Sequence, residues 1–170
     1  MESLNPVDKR MVAFILKHHV FTLATSNENK PYTCSCFYVY LEKENLFVFT
    51  SDHKTKHIGD VENNKHVAGA VALETSMIGK IQGIQFTGII SELEGEILKI
   101  ATSAYLRKFP IAHLKDLLLW GVEADFIKMT DNRLGFGKKL IWRKSWPFQN
   151  HFFSKFILIN FILINPSQNI

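Results

Sequence analysis

The sequence predicts a mainly β fold with inserted helices, an antiparallel barrel or sandwich. Three observations carry this. β-prone segments follow one another at hairpin range. Helical segments fall between some of them without regular βαβ alternation. The 170 residues suit one domain around a single core.

The first element reads as a helix. Asn5 suits the N-cap, Pro6 the first helical position, and Asp8 completes the cap. Val7, Met11, Phe14 and Ile15 recur at helical spacing, and the helix ends near 17–19. Three strands follow: Val20–Thr25, Tyr32–Leu41 and Leu46–Thr50. The polar runs 26–31 and 42–45 are the turns of an antiparallel meander. A polar loop, 51–57, leads into a short helix over about 55–64. Val67–Leu73 is a strand of small and β-branched residues, and 74–80 is a turn region. Ile81–Leu93 is a longer strand in which Gly83 and Gly88 mark bulges or bends. Glu94–Phe109 is helical, with Ile97, Ile100, Ala101, Ala104 and Tyr105 on one stripe and Pro110 as the stop. His113–Leu119 suggests a further helical turn. Trp120–Thr130 is a strand, 131–137 a glycine-bearing turn, and Lys138–Arg143 the last strand.

Composition narrows the function classes. Hydrophobic residues make up 46% of the chain, and the net charge is +4. Mean hydropathy is +0.01 and the pI about 9.0. This is ordinary globular composition. The mild basicity suits an anionic ligand such as a phosphate, but no Lys/Arg run points to nucleic acid. Fourteen Phe imply a dense aromatic core or an apolar surface reserved for a partner. Glu2, Asp8, Lys9 and Arg10 interrupt any apolar leader, and no run reaches the ~20 apolar residues that span a bilayer. A cytoplasmic protein without a transmembrane segment is expected. Cys34 and Cys36 lie two apart on one strand face, poorly placed for a disulfide, and read as reduced, half-buried thiols.

The sequence divides into a domain over 1–144 and an apolar, low-complexity tail over 145–170. In the tail, Phe156-Ile157-Leu158-Ile159-Asn160 recurs as Phe161-Ile162-Leu163-Ile164-Asn165. It is compatible with an added strand, a swapped dimer arm, a membrane-surface anchor, or read-through of AT-rich non-coding sequence.

The best functional candidate is the segment 50–57. It joins a strand to a helix start and supplies Thr50, Ser51, Lys54, Thr55 and Lys56. Hydroxyls, lysines and backbone N–H groups at a helix start together cradle a phosphate. Composition alone favours a solvated polar loop. Gln82 and Gln85 lie on a strand, where a Gln either donates to a cofactor ring or faces water. The histidines form no metal set by spacing: His53 and His57 are four apart, without a third ligand in sequence, and no second Cys pair completes a zinc motif. Nucleophile-elbow, dinucleotide and P-loop motifs are absent, so any difficult chemistry would come from a bound cofactor.

In order, the strands Cys34–Tyr40 and Leu46–Thr50, the run Lys54-Thr55-Lys56-His57, the strand Ala68–Val71, and Phe86-Thr87-Gly88 resemble the pyridoxamine 5′-phosphate oxidase-like split barrel. Within that superfamily the chain resembles the bacterial YhbP-like subgroup. The shared stretches are 83–88, 93–96, Ala104-Tyr105, 107–110, and above all 130–142, TDNRLGFGKKLIW. The resemblance covers about 6–143 and implies a six-stranded antiparallel split β-barrel of FMN-binding type. It also implies a homodimer with FMN at the subunit interface and a small-molecule substrate. Carried over by position, Thr50, Ser51, Lys54, Thr55 and Lys56 hold the phosphate. Phe37 lies against the isoalloxazine, Gln85 reaches the ring or the ribityl chain, and Trp142 is a weaker candidate for the ring edge. The implied function is a flavin-dependent oxidoreductase; a non-catalytic flavin- or haem-binding protein is the alternative, with His53, His57 or His113 as haem ligand. Thr55 stands where the name-giving oxidase has Arg, and Gln82-Gly83-Ile84-Gln85 replaces its Arg-rich strand. The resemblance therefore does not extend to vitamin B6 oxidation.

Overall fold

A computed structural model describes residues 5–114, 117–135 and 137–145, with the side chains of His113 and Leu114 set aside. The tail expected over 145–170 lies outside these residues from 146 onward.

The first helix, α1 (Lys9–Lys17), starts later than the Asn5-Pro6 pair suggests. Asp8 is the N-cap, accepting from the Arg10 backbone at 2.8 Å while gripping the Arg10 guanidinium at 2.9 and 2.7 Å. Arg10 holds the Asp8 carboxyl down at about 2. Asn5 instead ties the chain to the last strand: its amide donates to the Arg143 carbonyl at 3.1 Å.

β1 (Val20–Asn27) and β2 (Lys30–Leu41) form a tighter hairpin than the polar run 26–31 suggests. Asn27 pairs with Lys30, so the turn is Glu28-Asn29, both at positive φ. That is the two-residue geometry matching strand twist. β3 (Leu46–Thr50), α2 (Lys56–Asn63), β4 (His66–Ala72), β5 (Gln82–Glu92) and α3 (Gly95–Lys108) follow. The helical turn expected over 113–119 gives way to a 3₁₀ turn, Pro110–Leu114, and Leu119 already belongs to the next strand. β6 (Leu119–Asp131) and β7 (Lys139–Arg143) complete the sheet.

The sheet has seven strands rather than six. Its order is β3-β2-β1-β4-β5-β6-β7, and an added β3–β6 pairing closes a ring of six. β6 is long enough to serve both neighbours. β5 lines one of its edges from Trp120 to Asp131. On the other edge β3 takes residues 119–123 and β7 takes residues 126–130. The edge divides at Ala124-Asp125, where the Asn45 carbonyl accepts from the Ala124 N–H and the Asn45 amide donates to the Ala124 carbonyl. The β5–β6 register slips between Thr87 and Gly88, as expected of Gly88, with Asp125 left over on β6; no slip occurs at Gly83.

Two cores result. Inside the ring, Phe21, Tyr38, Phe47, Phe49 and Phe86 pack edge-on or stacked, which is the dense aromatic core that the Phe count admits. Outside it, α3 lays Ala101 and Tyr105 on Val39, Leu41, Leu46 and Val48.

Candidate functional site

The loop between β3 and α2 is pinned from below by the start of β6. The Ser51 N–H donates to the Leu118 carbonyl at 3.2 Å, and the Trp120 indole N–H donates to the Ser51 carbonyl at 3.2 Å. Asp52 then builds the turn. Its carboxylate accepts from the Lys54 N–H at 2.8 Å, and its carbonyl accepts from the Thr55 N–H at 3.1 Å and the Thr55 hydroxyl at 2.8 Å.

That last bond decides the chemistry of the helix start. Thr55 is the N-cap of α2, but its hydroxyl is turned back to Asp52 and makes no capping bond. The first N–H groups of α2 thus lack the side-chain acceptor that an N-cap normally supplies. Around them stand Ser51 Oγ, 3.0 Å from Thr55 Oγ1, and the exposed Thr50, Lys54 and Lys56. Hydroxyls, lysines and an uncapped helix N-terminus are donor groups of the kinds that anions accept from.

Lys56 has a second commitment. Its ammonium lies 2.5 Å from Asp60 Oδ1 one turn on, and Asp60 is buried. The other oxygen, Oδ2, accepts from Thr25 at 2.9 Å. Lys56 first, then Thr25 against the cost of burial, lowers the Asp60 pKa.

Phe37 and Gln85 lie elsewhere, on the outer face of the ring. Phe37 is 59% exposed on β2, its edge against Phe109 at 5.5 Å. The register aligns Ser35, Thr22, Ala70, Gln85 and Lys128 in one transverse row. Beside this row a groove of about 260 Å³ is lined by Thr22, Ala24, Ala70, Gln85, Thr87 and Phe126. Trp142 is on β7 opposite Ile127, eight residues along β6 from its first residue, Leu119, or roughly 26 Å of strand. Its indole N–H donates to the Asn5 carbonyl at 2.8 Å. Gln82 is buried, donating to Asp131 Oδ2 at 2.9 Å.

One cluster escapes sequence spacing altogether. Cys34 and Cys36 point to the same inner face of β2, with sulfurs 3.7 Å apart. His57, in the first turn of α2, brings a ring nitrogen to them, and the three donor atoms lie within 4.8 Å of one another. Ser51 Oγ and Thr55 Oγ1 hold His57 Nε2 at 2.7 and 3.3 Å. The hydrogen bond from Cys36, then His57, brings the Cys34 pKa down to about 5 against the opposing cost of burial. The same bond, reinforced by burial, pushes the Cys36 thiol up. The available signal in the sequence was the Cys-x-Cys pair on a strand, but its partner comes from another element.

No family model matches the chain. A protein of the UPF0306 group from Yersinia pseudotuberculosis serotype O:3 is 41% identical over 145 residues, covering 84% of this chain and 98% of the relative. The UPF0306 protein YhbP of Escherichia fergusonii is 36% identical over 145 residues, covering 85% and 96%. The chain belongs to the UPF0306 family. Among solved structures, the UPF0306 fold is similar to a haem-binding protein of Mycobacterium smegmatis (TM-score 0.65, 18% identity), covering 78% of this chain and only 56% of that one. A FAD-binding protein of Mesorhizobium loti matches at TM-score 0.60 and 14% identity, over 72% of this chain and 93% of the other. A Listeria innocua protein carrying the provisional name pyridoxamine 5′-phosphate oxidase matches at TM-score 0.58 and 14% identity, over 70% and 94%. The shared split barrel is what these likenesses establish for the UPF0306 chain. Among its described residues no helix is long and apolar enough to cross a membrane.

Proposed function

We propose that this UPF0306 chain is an FMN-binding homodimer, with the cofactor at the subunit interface, acting as a flavin-dependent oxidoreductase on a small molecule. The observation carrying the reading is the start of α2, left without a side-chain cap beside Ser51, Thr55, Lys54 and Lys56. The donors fit a phosphomonoester: backbone N–H groups, the Thr50 and Ser51 hydroxyls and ammonium groups bind its oxygens, while the Thr55 hydroxyl, committed to Asp52, leaves the helix start open. The loop has no Arg, and Lys56 is shared with Asp60, so Lys54 and the helix start carry much of the anion's charge. Thr50 stands at the strand end beside them.

FMN, when bound, supplies hydride and electron transfer. The chain's own residues bind, orient and shield it. Phe37 offers an exposed aromatic face to the isoalloxazine, and Gln85 an amide to the ring or ribityl chain. Both sit on the outer face of the ring, which a second subunit would cover. Trp142, whose indole is tied to Asn5, is assigned to anchoring rather than to the flavin.

The test is the visible spectrum of the purified protein, followed by FMN titration on the apoprotein and sedimentation to fix the assembly. A dimer binding one FMN per chain, with the affinity of Lys54→Ala about tenfold weaker, supports the reading. A colourless protein that takes up no added FMN overturns it.

A non-catalytic haem-binding role is the second reading, favoured by the exposed His53, whose ring lies 5.6 Å from Trp120. A Soret band on haem addition, lost in His53→Ala, selects it over the first.

A further inference from the structure

The geometry points to a metal site at Cys34, Cys36 and His57 that takes a single Zn²⁺ ion through two thiolates and one imidazole. The inference does not rest on the flavin reading.

The spacing of the two sulfurs is the first argument. Zinc bonds sulfur at about 2.3 Å, so two sulfurs across a tetrahedral angle stand about 3.8 Å apart. Cys34 and Cys36 hold theirs at 3.7 Å with no ion needed to draw them together. Residues two apart on a strand face one way, and the ladder with β1 holds both positions: Cys34 pairs with Leu23 and Cys36 with Phe21. The ladder fixes where the two Cβ atoms start, and the rotamers adopted from there bring the sulfurs to zinc-bridging distance.

The third ligand comes from a separate element. His57 brings a ring nitrogen within 4.8 Å of both sulfurs. The Ser51 and Thr55 hydroxyls on Nε2 fix the ring, as outer hydrogen bonds fix ligating histidines. Three protein ligands leave the fourth position of a tetrahedral zinc for water or another small ligand. Cys34 and His57 are only half-buried, so that position is reachable.

Charge selects the metal. Cys36 is buried, and Phe21 and Leu23, the β1 partners of the two cysteines, are buried too. Two thiolates neutralise Zn²⁺, whereas Cu⁺ would leave a net negative charge in the same apolar wall, which is costly. On binding, any proton still carried by a thiol leaves to solvent, and no oxidant or reductant is required. The bound ion would staple α2 to β2, joining the loop 50–57 to the barrel wall.

Co²⁺ is the probe, added to the reduced full-length protein. One ion per chain is expected, with a thiolate-to-cobalt charge-transfer band and the intense d–d bands of tetrahedral geometry, both bleached by stoichiometric Zn²⁺. Cys34→Ser should weaken Zn²⁺ at least a hundredfold in chelator competition and cut the charge-transfer intensity by about half. Because Cys36 is buried, Cys36→Ala is judged only after its circular dichroism matches wild type; His57→Gln, at a half-buried position, is the independent second variant. It should keep the charge-transfer band and shift the d–d bands. Absence of the charge-transfer band in the wild type overturns the proposal. So does Co²⁺ bound equally by wild type and Cys34→Ser, an adventitious ion only. Stoichiometric Cu⁺ binding with no Zn²⁺ uptake overturns the assignment of the metal. FMN binding is read separately on the metal-free protein, so failure of one reading leaves the other standing.

Discussion

Lys56 and Asp60 form an ion pair one helical turn apart, with the ammonium exposed and the carboxylate buried. Asp60 faces Thr25 on β1, so the pair also fastens α2 to the barrel. Lys56→Ala leaves a buried carboxylate with one hydroxyl for company, an arrangement that is strongly destabilising. The expected outcome is a lower Tm together with weaker FMN binding. Lys54→Ala, exposed and outside that pair, should weaken FMN binding with Tm unchanged. Adding Asp60→Asn to Lys56→Ala should restore much of the Tm but not the affinity. Thermal melts and FMN titrations on the four proteins check this.

Asp131 supplies the pH dependence of stability at the far end of the sheet. Arg133 grips it through Nε and Nη2 at 3.0 and 2.8 Å, and its own N–H adds a bond at 3.0 Å. With Gln82 these hold the carboxyl at about 2 against burial, below its ordinary 3.8. The folded state thus favours the ionised form. Its contribution is complete above about pH 4 and is lost as pH falls through about 2. The stability gap between wild type and Asp131→Asn should therefore be widest near neutrality and shrink below about pH 4. Urea melts across that range would show a constant gap if the carboxylate's charge were irrelevant.

These two pairs show what a sequence can and cannot display. The strands were legible because alternation and β-branched residues repeat locally, and the loop 50–57 was legible because its donors are contiguous. The helix start was misplaced because Asn5-Pro6 has the chemistry of a cap, while the bidentate Asp8–Arg10 grip that wins is a competition between neighbours. The last strand, Lys138–Arg143, was legible too; what the sequence does not display is that β6 offers one edge to both β3 and β7, so that six strands close a ring and the seventh lies beyond it. Asp60 and Gln82 look like surface residues until Thr25 and Asp131 are brought beside them. His57 joins Cys34 and Cys36 only because α2 packs across the barrel, so no spacing rule could assemble that cluster.

Gly69 is required by an aromatic stack. A Cβ there would stand 2.2 Å from the Phe86 ring, which lies flat on Phe47 at 4.1 Å and 4°. Neither ring can retreat, since both are fully buried among Phe21 and its neighbours. Gly69→Ala should cost about 1–3 kcal/mol, the usual penalty of overpacking. Pairing it with Phe86→Leu should cost less than the two single changes added together, because the clash is gone. Denaturant melts on the double-mutant cycle measure the coupling; additive losses would mean that the ring moves aside.

Trp142 separates an anchor from a cofactor contact. Its indole N–H donates to the Asn5 carbonyl, the Asn5 amide donates back to Arg143, and the Lys144 N–H continues the strand by donating to Asp125. These bonds tie the segment before α1 to β7, the strand that pairs with β6 beyond the ring. Trp142→Phe retains much of the buried ring surface and deletes the N–H. The Asn5 carbonyl then loses its partner, a change costing about 1 kcal/mol. Proteolysis should reach the N-terminal segment sooner, and denaturant melts should show that loss. FMN affinity should stay at the wild-type value, since β7 meets β6 far from the loop pinned by Leu118 and Trp120. Unchanged stability with a several-fold drop in FMN affinity would instead move Trp142 to the ring edge. Phe37→Ala is the matched control: it removes an exposed ring, should leave the melt nearly unmoved, and should weaken FMN if the isoalloxazine lies there.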